Sequence, residues 1–208
     1  RAAAQAFFIA GTNRAMLRFT LMNHLCRDLE LVSDTTRPPD RVRQDVSRSP
    51  GGDSRLYLNN CVGCHAGMDP LAQAFAYHDW DEAAGRLIYT AGVVRPKYFN
   101  NKDTFPAGYS TPDDHWDNYW RNGRNALLGW DASSPGAGQG PKSLGRELSH
   151  TDAFAGCQVQ KVFRAVCFRE PSDAQDRARV QAMTGSFKAS GYQLKRVFAE
   201  AATYCMGD

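Results

Sequence analysis

The sequence predicts a mainly α-helical protein with one small β-hairpin and a C-terminal segment of three helices. Apolar residues recur every three or four positions in several long stretches, which lines one face of a helix. β-Branched and aromatic residues cluster between turn formers in only one short stretch, around residues 86–99. The last third of the chain divides into three amphipathic runs with short connections, which makes successive helices antiparallel.

With 208 residues, 42% apolar and 23% charged, the chain is long enough to bury a true core and too apolar to be disordered. The net charge of +3 is spread along it, so nucleic acid is not an expected partner. No apolar run approaches the roughly 20 residues of a membrane span; the best, Phe7 to Ala10, is cut by Gly11. The opening Arg1-Ala-Ala-Ala lacks the apolar region of a signal peptide, so a mature protein or a piece of a longer one is expected.

The first helix is expected over 13–29, capped by Thr12 or Asn13, with Leu17, Leu21, Leu25 and Leu29 on one face. His24 and Cys26 read as structural. From Asp34 to Gly52 polar residues and the breakers Pro38, Pro39, Pro50, Gly51 and Gly52 predict a loop. Its Arg37, Arg41, Arg43 and Arg48 read as a solvated charged surface, with carboxylate recognition as the alternative.

Asp53 or Ser54 caps the next helix, which carries Cys61-Val62-Gly63-Cys64-His65. Two cysteines three apart share one helical turn, so both thiols reach the vinyl groups of one haem while the adjacent histidine ligates its iron. A zinc site would need a second ligand pair, and the sequence has no other C-x-x-C or H-x-x-x-H. A thiol redox pair expects a βαβ context that the pattern lacks. One covalent haem c is therefore expected, on Cys61 and Cys64, with His65 as proximal ligand.

This helix is expected to stop near Met68, because Pro70 disfavours helical geometry at Asp69, and a second to start at Pro70 and run to Tyr77 or His78. The hairpin is placed between Arg86 and Phe99, around Gly92. Residues 100–112 read as loop. A short helix capped by Asp113 or Asp114 follows, with Trp116, Tyr119 and Trp120 as core, and Ser133 to Gly140 reads as an exposed loop. The three final helices are expected from Asp152 to Phe168, after a Ser172/Gln175 capping box to Gly191, and from Leu194 to Tyr204. Their inner faces carry Phe154, Val159, Val162, Phe163 and Val166, then Val180, Met183 and Phe187, then Leu194, Val197, Phe198 and Ala201. Two units follow: 1–144, a haem-binding module with a loop-rich insert at about 91–144, and 145–208, a helical module packed on it.

Haem c is attached outside the bacterial cytoplasm, so the motif implies an exported protein in an oxidising setting. The four other cysteines then admit two disulfides in three pairings. Because the first and third of the last helices end on the same side, Cys167 with Cys205 is the first choice, and Cys26 with Cys157 follows by elimination. Four buried free thiols are the alternative.

NHLCRDLE, NNCVGCHAGMDPLAQAFAYHDWD, DAFAGCQVQKVFRAVCFRE and FKASGYQLKRVFAEAATYC resemble the paired C-terminal modules, of unassigned function, in large exported bacterial cytochrome-c-like proteins. The resemblance covers about 1–90 and 145–206 and is most specific at C-x-x-C-H followed by Met68-Asp69-Pro70. It implies haem thioethers at Cys61 and Cys64, a proximal His65, and a chain that is a fragment or subunit of something larger.

Two strong axial ligands would make the iron an electron carrier, whereas an open position would let it bind oxygen or peroxide. Met68 lies one turn beyond His65 and stays on the proximal side. Met183, Met206, His78 and His115 are the distal candidates. The expected function is single-electron transfer by a cytochrome-c-like helical domain, with redox proteins as partners. The rivals are a haem enzyme using His115 as acid or base, and a structural subunit whose partners dock on Trp116 and Trp120.

Overall fold

The computed structural model describes residues 13–42, 54–95 and 109–206. The caps at Thr12 and Asp53, the arginines 43 and 48, and most of the 100–112 loop lie outside them. Helix α1 (Asn13–His24) buries Met16, Leu17 and Leu21, and Leu25 follows them into the core. It ends at His24 rather than at Leu29. Cys26 adopts a left-handed φ of 54° and closes the helix, and the Asp28 carboxylate then caps a 3-10 turn, Leu29–Val32. The carboxylate also takes the Arg18 guanidinium at 2.6 and 2.7 Å, a pairing that holds its pKa down at about 2.

The next helical run opens with a turn at Ser54–Leu56, widens to a π-helical turn at Tyr57–Cys61, and becomes α2 (Val62–Ala72) before a 3-10 turn at Gln73–Phe75. The expected break at Met68 does not occur, because α2 passes through Pro70. An interior proline costs about 3 kcal/mol. Met68, Leu71, Ala72 and Phe75 are all buried here, and each large apolar side chain returns about 1.5–3 kcal/mol on burial, so packing overrides the local preference.

The small hairpin exists, displaced toward the N-terminus. Strand β1 (His78–Asp81) pairs antiparallel with β2 (Arg86–Tyr89), His78 opposite Tyr89 and Asp81 opposite Arg86. The turn uses the Asp81 carboxylate, which accepts the Ala84 N–H at 2.9 Å, and Gly85 at φ +60°. Gly92 belongs to a separate turn closed by Val93 N–H to Thr90 O.

The expected helix at Trp116 is strand β3 (His115–Asp117), and the expected loop before Gly140 contains its partner β4 (Ala137–Gln139). Trp116 and Trp120 are buried at 1% and 0% exposure, so the core reading of these rings holds and neither forms a docking surface. The helical spacing of the aromatics comes from a strand followed by a 3-10 turn, Tyr119–Arg121, capped by Asn118.

Helix α3 (Gly140–Ser149) was not expected; Pro141 occupies its first turn, and Leu144 and Leu148 pack with α1, α2 and the two tryptophans in one core cluster. Helices α4 (Asp152–Cys167), α5 (Ala174–Ala189) and α6 (Leu194–Cys205) form a second cluster around Val159, Phe163, Val180, Met183, Phe187 and Val197. The cap of α5 is Asp173, not Ser172. Leu194 and Phe198, expected inside, are 40% and 44% exposed, since α6 buries only the narrow stripe of Val197 and Ala201. The two clusters divide between Leu148 and Ala155, so the 144/145 boundary falls inside α3. Both expected disulfides are present, Cys26–Cys157 and Cys167–Cys205, with Cα atoms 5.4 and 5.5 Å apart.

One buried carboxylate ties the bundle together. Asp176 accepts from Arg169, from the Ser172 N–H at 2.9 Å and from the Tyr204 hydroxyl at 2.9 Å, and the Arg169 bond above all holds its carboxyl well below the ordinary range. A carboxyl lowered by folding stabilises the protein fully above the unfolded carboxylate pKa and loses that contribution as pH falls through the folded value. Thermal unfolding followed from pH 6 downward is therefore expected to weaken below about pH 4, with Arg169→Gln flattening that acid limb.

Candidate functional site

The C-x-x-C-H turn is assembled against the Leu29–Asp34 segment. Asp34 N–H donates to Gly63 O at 2.8 Å, and the Cys64 thiol donates to Leu29 O at 3.5 Å. Glycine at position 63 leaves room for this approach: a Cβ there would lie 2.2 Å from Ser33 Oγ and displace that hydroxyl. Tyr57, buried in the π-helical turn, sets its ring centroid 6.3 Å from that of His65. Burial raises its phenol to about 12. Val42, Val62 and Ala66 complete a small apolar cluster on which Cys61 packs.

His65 lies one helical turn before Asp69, and its Nδ1 is 3.2 and 3.1 Å from the two Asp69 oxygens. Asp69 is fully buried and receives Arg14 of α1 as a bidentate pair at 2.9 and 2.8 Å. A carboxylate paired with a guanidinium can only accept, so Nδ1 carries the proton and Nε2 is the nitrogen left for a metal. The His65–Asp69 spacing of four is legible in the sequence. Arg14, 55 residues from Asp69, carries no such signal.

The donor chemistry can be set against each reading of the motif. Cys61 and Cys64 are the two free cysteines, both partly exposed, while the other four are paired. Burial pushes the Cys64 thiol up. Among the described residues no three His, Cys, Asp or Glu side chains converge on one point, as a zinc ion would require. Haem attachment asks for separated donors instead: two thiols for the macrocycle edge and one imidazole for its centre. Cys61, Cys64 and His65 fit that demand.

The distal candidates are dispersed. Met183 is fully buried in the α4–α6 core among Val180 and Phe187. Met206 follows α6 at 83% exposure. His78 begins β1, its ring centroid 5.0 Å from that of Tyr89, and burial lowers its pKa. It lines a cavity of about 540 Å³ with Tyr77, Tyr89, Asp114 and Lys142. His115 lies on β3 with Nε2 3.4 Å from Asp117 Oδ2, and its side chain is 43% exposed. None of the four is in the cluster that packs on Cys61.

Of the loop arginines, Arg37 and Arg41 lie among the described residues, and both are bound to the protein rather than solvated. Arg37 is 3.5 Å from Asp34, and Arg41 pairs with Asp117 while its guanidinium carbon lies 5.9 Å from the ring centroids of Tyr109 and Tyr119. No helix among the described residues is long and apolar enough to cross a membrane. The chain matches no family model, no curated protein and no solved structure.

Proposed function

We propose that the chain is a monohaem c-type cytochrome module that carries single electrons outside the cytoplasm, as a part or partner of a larger exported cytochrome-like protein. The observation that carries this is the pairing state of the cysteines. Four are consumed by disulfides, and the two left as thiols are those of C-x-x-C-H, beside a histidine whose Nδ1 is held by a buried carboxylate. Disulfides form in oxidising compartments, which are also where haem c is attached.

Bound haem would supply a one-electron Fe(III)/Fe(II) couple. Cys61 and Cys64 would tether it, and His65 would offer Nε2 to its iron. Asp69 keeps that tautomer, and Tyr57, Val42, Val62 and Ala66 supply apolar surface beside the tether. Redox proteins would be the donors and acceptors of its electrons.

The test is absorption spectroscopy of the chain produced with haem-attachment machinery. One haem per chain, resistant to acid–acetone extraction, is expected in the wild type and should be lost in Cys61→Ala/Cys64→Ala. A low-spin spectrum indifferent to cyanide supports the carrier. A high-spin ferric spectrum that shifts with cyanide would replace it with an open-iron catalyst, for which His115 beside Asp117 is the acid–base candidate. Failure to acquire any covalent haem would remove both.

A further inference from the structure

We propose that Asp69 and Arg14 act as an opposed pair of positioning residues that set the reduction potential through His65, an inference that rests on the haem reading above. Asp69 is fully buried and has two partners. Both its oxygens accept from Arg14, at 2.9 and 2.8 Å, and both lie 3.1–3.2 Å from His65 Nδ1. A carboxylate accepting the Nδ1 proton increases the anionic character of the imidazole, and so the electron density that Nε2 offers a metal. That favours the ferric state and lowers the potential.

Arg14 works the other way. Its positive charge draws density from the same carboxylate, and its side chain is 15% exposed where Asp69 is wholly enclosed. A bidentate guanidinium pair is the strong form of such a contact. It leaves His65 the partner at longer range, so the push on the imidazole is reduced without being removed. The balance is set across two elements, since α1 brings Arg14 and α2 brings both Asp69 and His65. The position of α1 against α2 therefore enters the redox property of the site.

The two charges predict shifts of opposite sign, which a loss of packing would not produce. Potentiometric titration of the haem-loaded full chain should show Asp69→Asn raising the potential by about tenfold in the ferrous/ferric ratio, or about 59 mV for one electron. Arg14→Gln should lower it, and Arg14→Lys should restore most of the wild-type value. Far-UV circular dichroism and haem content per chain check that each variant is folded and loaded. If Asp69→Asn does not fold, the Arg14→Gln and Arg14→Lys comparison still decides the sign. A loaded wild type whose potential is unmoved by Arg14→Gln, or moved the same way by both charge removals, overturns the proposal and leaves the haem reading intact. A wild type that acquires no covalent haem overturns both.

Discussion

Replacing Cys26 and Cys157 together by alanine is expected to cost about 5 kcal/mol of stability. The crosslink spans 131 residues, and the loop-closure entropy it removes from the unfolded chain grows with the logarithm of that span. Cys167–Cys205 spans 38 residues, for which the same relation gives about 4 kcal/mol. The two differ more in what they join. The longer one ties the end of α1 to α4, and so links the two core clusters, while the shorter one lies within the α4–α6 bundle. Lys161 and Gln158 of α4 reinforce the first junction by donating to the carbonyls of Asn23 and His24. Urea unfolding of each double variant should show the Cys26/Cys157 pair to be the costlier, with loss of the single transition as the two clusters uncouple. Equal and small losses for both would mean that packing alone holds the clusters together.

Gly67→Ala is expected to destabilise by about 3 kcal/mol, the upper part of the range for overpacking. A Cβ at this position would lie 1.8 Å from Trp120 Nε1 and 2.5 Å from two further indole atoms. The indole cannot easily give way. Trp120 is fully buried, its N–H is held by Asn118 Oδ1 at 3.0 Å, and its carbonyl accepts from Trp130 Nε1 at 3.0 Å. Among the described residues its Nε1 has no hydrogen-bond partner, and the ring packs directly against Gly67. The strain should fall on α2, the helix that carries Cys64, His65 and Asp69. Trp120→Phe removes Nε1, the nearest colliding atom, so the double variant should recover part of the loss from Gly67→Ala. Strictly additive costs in that cycle would show that the two side chains do not meet.

Most of the helical content was legible because it depends on periodic burial. Val159, Val162 and Phe163 on α4, or Leu17, Leu21 and Leu25 at α1, repeat at helical spacing and end in the core. The errors arose where a local signal was opposed by a long-range one. Pro70 predicts a break, and the core around it keeps the helix whole. Trp116 and Trp120 have helical spacing, yet Trp116 is drawn into a strand by Gly138, twenty-two residues later, its register partner in β4. Nothing near either residue announces that pairing.

The site divides in the same way. Cys61, Cys64 and His65 lie within five residues, so the haem expectation rests on their spacing alone; of the disulfides, Cys167–Cys205 followed from helix direction and Cys26–Cys157 by elimination. Only the tertiary structure brings Arg14 onto Asp69, buries that carboxylate and turns His65 Nδ1 toward it. Covalent attachment as proposed would be a local property, set by a few neighbouring residues. The electrostatic field at the imidazole is not, because charges act through space and the fold decides which distant ones arrive.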